Sequence, residues 1–451
     1  MAIEIGSPTA TAPQPLSFTA ALRFWLKLGF ISFGGPAGQI SIMHEELVER
    51  RRWISERRFL NALNFTMLLP GPEAQQLATY IGWLLHGTIG GIAAGLLFVV
   101  PSFFIIGILA WLYLDFGDAA VVQGVLYGIK PAVTAIVLFA AFRIGSRALK
   151  NAVLWLLAML SFVAIALFNV PFPYIVAGAA IIGLLLHWFK PEYIHATHTV
   201  DKVAADHHAT ALIDDETPLP PHAVFTWRRT GLYLSLGTGI WACALGALTL
   251  LYGWQATLTE VGWFFTKAAL LTFGGAYAVL PYVYQGGVDA YAWLTATQMI
   301  DGLALGETTP GPLIMIVTFV GFVGGWTKAV FGPESILLSA WAAAAVATFF
   351  TFLPSFLLIL VGGPAIEATR RNPRFSAPLT AITASVVGVI VNLAVFFAYH
   401  VLWPGGVDGQ FEWTAAGFGV IAFVAMYRFR VGVIPVIAAA ALGGSIYQFL
   451  L

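Results

Sequence analysis

Long apolar segments, separated by short polar ones, dominate the pattern along the chain. Residues 89–114 and 431–450 each run for about 20 residues without a charge, which is the length that an α-helix needs to cross a hydrocarbon core of roughly 30 Å. This pattern predicts an all-α, polytopic membrane protein. One clearly polar segment, residues 190–229, is rich in proline, histidine and acidic residues. We interpret it as a linker between two hydrophobic halves.

The two halves repeat a set of residues at a constant offset of 240 positions. The first set is Phe24, Lys27, Phe33-Gly34-Gly35, Trp53 and Pro70-Gly71-Pro72, and the second is Phe264, Lys267, Phe273-Gly274-Gly275, Trp293 and Pro310-Gly311-Pro312. Further along, the tripeptide Pro101-Ser102-Phe103 recurs as Pro354-Ser355-Phe356. Internal duplication of this kind is typical of transporters that are built from two structural repeats.

The distribution of basic residues reverses between the halves. Arg50-Arg51-Arg52 and Arg57-Arg58 lie between the two motifs of the first half, whereas the matching residues 277–292 carry no Lys or Arg. Conversely, residues 114–121 have none, but their counterpart, residues 362–378, carries Arg370, Arg371 and Arg374. Because basic residues mark the cytoplasmic side, the reversal predicts two inverted-topology repeats. An extra spanning helix at residues 231–251 would supply the odd crossing.

The same rule gives a topology for each motif. Arg143, Arg147 and Lys150 place one helix end in the cytoplasm, so both ends of residues 59–86 lie on that side. We therefore interpret each Pro-Gly-Pro as the break of a re-entrant hairpin, and residues 18–44 as a similar hairpin. This gives about nine full spans and four re-entrant elements. The alternative is that each Pro-Gly-Pro kinks a full span.

The predicted organisation has four parts. They are an N-terminal tail (residues 1–17), a first repeat (18–189), a cytoplasmic linker (190–229), and the extra helix with the second repeat (230–451). The tail has no basic region followed by an apolar core, so no cleaved signal peptide is expected in this multi-pass inner-membrane protein. The linker histidines suggest a solvated segment rather than a metal site, because no rigid scaffold is evident there: His195, His198, His207, His208 and His222.

Composition supports this class and excludes others. Hydrophobic residues make up 59% of the chain and charged residues 10%, against about 45–50% and about 25% in soluble domains. The zero formal net charge gives no indication of nucleic-acid binding. The single cysteine, Cys243, excludes an intramolecular disulfide and a CxxC redox pair. No Walker A loop, HExxH helix or GxSxG elbow is present, so neither an enzyme nor a cofactor is expected.

The broken helices carry the candidate chemistry. A break inside a membrane creates a helix N-terminus with free amides and partial positive charge, which favours anions. We therefore expect the breaks to expose backbone donors to an oxyanion, with neutral side chains beside them, although Pro and Gly also kink helices for packing alone. The predicted substrate-binding positions at the breaks are Ser32, Gly34, Gly35, Pro70, Gly71, Pro72, Gln75, Gln76, Thr272, Gly274, Gly275, Thr308, Thr309, Pro310, Gly311 and Pro312.

Four charged residues complete the predicted site. Lys27 and Lys267 are equivalent residues of the two halves, and two matched cations would neutralise one dianion; the alternative is that both extend to the membrane surface. Glu73 follows one break and Glu307 precedes the other. These carboxylates are candidates for proton coupling or for capping a helix start.

Three stretches of each half resemble the chromate ion transporter family in its long, two-domain form. They are FWLKLGFISFGGPAGQISIMHEELVERRRWIS, LNFTMLLPGPEAQQLATYIGWLLHG and LLFVVPSFF in the first half, and FFTKAALLTFGGAYAVLPYV, LALGETTPGPLIMIVTFVGF and FLPSFLLIL in the second. The second half departs from FGGP, because Ala276 replaces the proline. The resemblance implies export of chromate from the bacterial cytoplasm and chromate resistance, with sulfate as a competing substrate.

Energy considerations bear on the direction of transport. A dianion leaving a negative interior gains about 2.3 kcal/mol per charge per 100 mV, so export is expected to run on the membrane potential or on a proton gradient. The alternatives are a sulfate or oxyanion importer or exchanger on the same scaffold, a membrane-bound chromate-reducing enzyme, and an anion channel. The lipid bilayer is the expected surrounding partner, nucleic acid is not expected, and a homodimer is left open.

Overall fold

The computed structural model describes residues 16–189, 211–369 and 376–450, apart from residues 34, 68, 215, 216, 219, 274, 407 and 408. Several predictions fall outside these residues and concern Gly34, Gly274, Arg370, Arg371, Arg374, His195, His198, His207 and His208. The described chain forms sixteen α-helices. Its one β-type pairing is an isolated bridge between Ile54 and Ile213.

The first repeat contributes seven helices: α1 Phe18–Ile31, α2 Gly35–His44, α3 Glu56–Thr66, α4 Glu73–Phe116, α5 Ala120–Ala148, α6 Ala152–Phe168 and α7 Phe172–Phe189. These helices form where apolar residues recur at helical spacing, and they end where Pro and Gly interrupt that pattern. Helix α4 is kinked at His86 and Gly87, whose backbone angles are not helical. The kink divides α4 into a short segment after the break and a long spanning segment.

The second repeat follows an extra helix, α8 Trp227–Tyr252, which begins slightly before the predicted linker boundary. Eight further helices complete the chain: α9 Thr257–Leu271, α10 Ala276–Tyr284, α11 Ala296–Thr308, α12 Ile316–Lys328, α13 Ile336–Thr369, α14 Ser376–Leu402, α15 Trp413–Arg428 and α16 Val433–Leu450. The extra helix predicted at residues 231–251 is therefore present.

The duplication extends to details of the backbone. A six-residue π-helical segment follows α2 at Glu45–Arg50, and another follows α10 at Gln285–Ala290, again 240 positions later. Arg52 and its counterpart Ala292 both have positive φ angles. Since positive φ is uncommon for residues other than glycine, this agreement confirms that the halves are structural repeats.

The two repeats interlock rather than standing side by side. Helix α5 packs on α15 and α16 of the second repeat, and its counterpart α14 packs on α6 and α7 of the first. Small residues permit this close approach. A Cβ atom added at Gly128 would lie 1.9 Å from the Ala440 carbonyl oxygen, and one at Gly388 would lie 1.9 Å from that of Ala158.

Seven of the described helices are long and apolar enough to cross a membrane, namely α4, α5, α7, α8, α13, α14 and α16. Three apolar helices are shorter, namely α6, α15 and the segment Leu313–Lys328 that contains α12. With α6 and α15 counted as spans and α12 assigned to a broken pair, the total is nine. The Gly-Gly and Pro-Gly-Pro motifs separate four pairs of consecutive helices. These pairs are α1 and α2, α3 and the start of α4, α9 and α10, and α11 and α12. The chain is thus an all-α, multi-pass membrane protein. The re-entrant path of each broken pair stays a prediction.

The described end of the linker is folded against the first repeat. We name residues 211–226 the linker strap. Its backbone amides at Leu212 and Ile213 donate to the carbonyl oxygens of Arg52 and Trp53 at 2.9 and 3.0 Å, and the Arg58 guanidinium donates to a strap carbonyl at 2.7 Å. Apolar side chains of the strap, such as Ile213, are buried in the core of the first repeat. This part of the linker is therefore not a solvated connection.

Candidate substrate site

The first Pro-Gly-Pro break lies against the turn that follows α9 in the opposite repeat. The Gly71 amide donates a hydrogen bond to the Thr272 carbonyl oxygen at 2.8 Å. The Gly71 φ angle of 131° favours glycine. A Cβ atom added there would lie 2.5 Å from both the Ser355 hydroxyl oxygen and the Gln76 amide nitrogen. Only glycine therefore fits at position 71. We define Gly71, Gln76, Thr272 and Ser355 as the first crossing.

The second Pro-Gly-Pro break makes the reciprocal contact. The Gly311 amide donates to the Ser32 carbonyl oxygen at 2.8 Å, and the Gln39 side-chain amide donates to the Gly311 carbonyl. A Cβ atom added at Gly311 would lie 3.0 Å from the Ser102 hydroxyl oxygen. We define Ser32, Gln39, Ser102 and Gly311 as the second crossing. Reciprocal contacts between equivalent groups are what a two-fold arrangement of the repeats produces.

The hydrogen bonds at the crossings correct one expectation. The amides of Gly71 and Gly311 are satisfied by carbonyl groups of the opposite repeat, and the flanking prolines Pro70, Pro72, Pro310 and Pro312 have no N–H. The tripeptides therefore hold the repeats together instead of presenting their own amides to an anion. After the first break, the backbone donors that remain are in the first turn of α4, because those amides have no intrahelical acceptor. After the second break, a 3-10 turn at Leu313–Met315 precedes α12, and the amides of Met315 and Ile316 donate within it.

Three buried serine hydroxyls lie at the crossings without a hydrogen-bond partner among the described residues. Ser32 and Ser102 are 0% exposed and Ser355 is 1% exposed. A buried hydroxyl without a partner is costly, so these groups are suited to a ligand or water. Ser32 was predicted, but Ser102 and Ser355 were missed. The signal for them was the repeated Pro-Ser-Phe tripeptide.

The other predicted neutral donors are used within the protein. The hydroxyl groups of Thr272, Thr308 and Thr309 donate to carbonyl oxygens of their own helices at 2.6, 2.8 and 3.0 Å. The Gln75 amide donates to a threonine hydroxyl at 3.0 Å, and the Gln76 amide donates to the Pro70 carbonyl at 2.8 Å. These side chains form hydrogen bonds that stabilise the broken helices, as expected for polar groups beside a helix interruption.

Both predicted carboxylates lie near the start of α10. Glu73, in the first turn of α4, has Oε1 3.7 Å from where a Cβ atom of Gly275 would be. Glu307 is 2% exposed. It accepts a hydrogen bond from the Tyr277 hydroxyl, which belongs to the first turn of α10. The second Glu307 oxygen has no partner among the described residues. The helix start provides the partial positive charge that favours carboxylates there.

A cation of α5 acts on one of these carboxylates. The charge of Arg143 acts on both Glu307 and Tyr277. The sequence indicated only a topological role for Arg143, since nothing in its spacing connects it with residues of the second repeat. Its position makes it a candidate to attract an anion to this side of the breaks.

The two predicted lysines make no described hydrogen bond or ion pair with the residues of the crossings. Lys27 is exposed on α1, and its charge acts on Glu46 in the π-helical segment Glu45–Arg50. Burial alone would raise the pKa of the Glu46 carboxyl, but a hydrogen bond from Arg51 and nearby cations lower that pKa below its ordinary value. Lys267 lies 5.6 Å from the Trp263 ring. Within the described chain, neither ammonium has a hydrogen bond or ion pair with the breaks. The two-cation site stays a prediction that this geometry does not favour.

Comparison with known proteins connects this geometry with one family. The sequence profile described as chromate transporter matches residues 19–184 and 259–445, which correspond to the two repeats without the linker and α8. The chromate transport protein of Pseudomonas aeruginosa is 31% identical over 443 residues, which cover 97% of this chain and 94% of that protein. The chromate transport protein of Cupriavidus metallidurans is 28% identical over 404 residues, covering 86% and 88%.

A shorter relative matches about one repeat. An uncharacterized transporter of Bacillus subtilis, YwrB, is 30% identical over 189 residues, which cover 41% of this chain and 93% of that protein. No solved structure matches the chain significantly.

Proposed function

The chain belongs to the chromate transporter family, and we propose that it is a secondary transporter that exports chromate across the bacterial inner membrane, giving chromate resistance. The two reciprocal crossings are the observation that supports this proposal. They bring two broken helices and unpartnered serine hydroxyls together between interlocked repeats. Transporters of this design bind substrate where such breaks meet.

The crossings offer what a tetrahedral oxyanion requires. The hydroxyl groups of Ser32, Ser102 and Ser355 are neutral donors, and the first turn of α4 after the first break adds free amides and partial positive charge. Arg143 adds a full positive charge near Glu307. An anion entering the site would replace hydration by fixed donors, without requiring Lys27 or Lys267 in contact.

The same contacts allow the repeats to move. Each crossing is held by a glycine amide donating to a carbonyl oxygen, and the second crossing also by the Gln39 side-chain amide. Each such bond contributes only about 0.5–1.5 kcal/mol. Breaking one crossing while the other stays closed would open the site to one side of the membrane. The two-fold relation makes the opposite opening equivalent, as alternating access requires.

The driving force follows from the charge of the substrate. A dianion that leaves a negative interior gains about 4.6 kcal/mol at 100 mV, since each charge contributes about 2.3 kcal/mol. Export therefore needs no coupled ion in principle. A proton gradient acting through Glu73 or Glu307 is the alternative source of energy.

Transport in everted membrane vesicles tests this function. Chromate should accumulate inside wild-type vesicles when an inside-positive potential is imposed, because the cytoplasmic face then points outward. Accumulation should fall when the potential is collapsed. Uptake of sulfate but not of chromate would identify sulfate as the transported substrate. Movement of chromate only in the reverse direction would contradict export and favour an importer.

A further inference from the structure

A polar cluster inside the helix bundle lies outside the two crossings. Asp301, on α11, is 1% exposed. Its Oδ2 atom accepts a hydrogen bond from the Tyr113 hydroxyl of α4 at 2.9 Å, and Nζ of Lys130 on α5 lies 3.4 Å from Oδ1. We propose that Asp301 and Lys130 form a proton-binding site, and that the proton bound at Asp301 crosses the membrane together with the anion. This inference rests on the transport function proposed above.

The two carboxylate oxygens differ in their partners. Oδ2 is fixed by the tyrosine hydroxyl, whereas Oδ1 has no hydrogen bond among the described residues. The distance of 3.4 Å to Lys130 exceeds the roughly 2.7–2.9 Å of a charge-assisted hydrogen bond. A proton added to Oδ1 would leave the bond from Tyr113 intact. Ionisable groups buried in a membrane bundle are costly, and they commonly mark ion or proton pathways.

The charged groups around Asp301 determine how the net charge of the cluster changes when a proton binds. Within the described chain, the charge of Lys130 of α5 and a hydrogen bond from the neutral Tyr113 of α4 act on Asp301. On the side of α12, the Phe319 ring packs against Tyr113 with centroids 5.7 Å apart, and contributes no charge. The Asp301–Lys130 pair is therefore neutral overall. Protonation of the carboxylate leaves the lysine as an uncompensated positive charge.

The pair connects the two repeats beside the proposed anion site. Asp301 belongs to the second repeat, whereas Lys130 and Tyr113 belong to the first. Helix α11 continues from Asp301 to Glu307, a rise of about 9 Å, and ends at Thr308, next to the second break. A charge change at Asp301 therefore acts on the helix that carries one side of the site.

The sign of this coupling gives the direction of proton movement. An added positive charge at Lys130 attracts an anion, so proton binding strengthens anion binding. By linkage, anion binding strengthens proton binding by the same factor. The proton and the anion then move in the same direction. An exported dianion accompanied by one proton carries one net negative charge outward, so the membrane potential, rather than a proton gradient, is its source of energy. An antiporter would need the opposite sign, with each ligand excluding the other.

Proteoliposomes that contain the full-length protein and an internal pH dye test the proposal. Chromate is added outside, at a pH at which it is a dianion, and a potassium ionophore holds the potential at zero. In the wild type, chromate entry should acidify the lumen. In Asp301→Asn, chromate should still enter, but the acidification should be lost. Asp289→Asn makes the same change at an exposed carboxylate of the second repeat, and should behave as the wild type.

A double variant distinguishes loss of the proton site from misfolding caused by an unpaired charge. Asp301→Asn with Lys130→Gln removes both charges, so no unpaired ammonium is left in the bundle. This double variant too should carry chromate without protons. Entry of chromate without acidification in the wild type, alkalinisation of the lumen, or continued acidification in Asp301→Asn would each overturn the proton site but not the transport of chromate. Absence of chromate entry in the wild type would instead overturn the transport function itself.

Discussion

Ser102 and Ser355 are equivalent residues of the two repeats, and each hydroxyl faces the glycine of the opposite break. The space between hydroxyl and glycine is too small for a side chain, since an added Cβ atom would lie 3.0 Å or 2.5 Å from the serine oxygen. A serine within a helix commonly donates to a carbonyl of the preceding turn. Here both hydroxyl groups lack a partner among the described residues, which leaves them available to an anion.

Removing these hydroxyl groups should weaken substrate binding. We expect Ser102→Ala with Ser355→Ala to raise the KM for chromate at least tenfold, because a hydrogen bond to a charged group contributes about 1.5–3 kcal/mol. Flux measured against chromate concentration in vesicles checks this. The control is Ser235→Ala, which removes an exposed serine of α8. A double variant with unchanged KM would show that the hydroxyl groups do not contact the substrate.

Arg143 is expected to matter more for transport than the paired lysines. Its charge acts beside the breaks, whereas Lys27 is exposed and Lys267 lies against a tryptophan ring. Arg143→Gln should lower chromate flux about tenfold, as expected for the loss of one favourable charge. Arg147→Gln, at an exposed position of the same helix, should retain flux. If Lys27→Ala and Lys267→Ala abolish flux while Arg143→Gln does not, the original two-cation hypothesis is correct.

At the scale of elements, the linker strap covers the kink in α4. His222 packs edge-to-face on Trp83, with ring centroids 5.5 Å apart, and lies beside Gly87, where an added Cβ atom would be 3.8 Å from its ring. Burial lowers the pKa of His222 below its ordinary value of 6.5, and the nearby Arg229 acts in the same direction, although hydrogen bonds with backbone groups of α4 oppose them. The docked strap therefore favours neutral histidine.

Docking of the strap should consequently depend on pH. A base whose pKa is lowered on docking contributes its full stabilisation above its ordinary pKa and loses it as the pH falls below that value. We expect hydrogen exchange at the amides of Leu212 and Ile213, corrected for intrinsic rates, to accelerate below about pH 6.5. The His222→Gln variant should lose this dependence. Equal protection factors across the range in the wild type would contradict it.

The sequence predicted some of these elements better than others. The spans, the breaks and the extra helix follow from local hydrophobicity and from Pro and Gly, so the residues near each feature were sufficient. The strap was interpreted as solvated because its polar composition conceals Ile213 and Ala223, which are buried. Arg143, Ser102 and Ser355 were not connected with the site because their contacts join residues far apart in the chain. Periodicity carries no information about such pairings.

At the scale of the whole molecule, neither repeat contains a complete site. The first break needs the turn after α9, and the second needs the turn after α1. Helices α5 and α14 each pack on helices of the opposite repeat. The half-length relative from Bacillus subtilis shows that a single repeat also exists as a separate chain. From these observations we predict that two repeats can assemble without a covalent connection.

Dividing the chain within the linker should therefore preserve transport when both parts are present. We expect residues 1–200 and 201–451, produced together, to restore chromate efflux, because the interlocked helices and the strap supply the interface. Either part alone should be inactive, since each crossing needs both repeats. Efflux from cells loaded with chromate measures this. A division inside α5, which would interrupt packing on α15 and α16, is the control and should abolish efflux. Activity of the first part alone would contradict a site shared between the repeats.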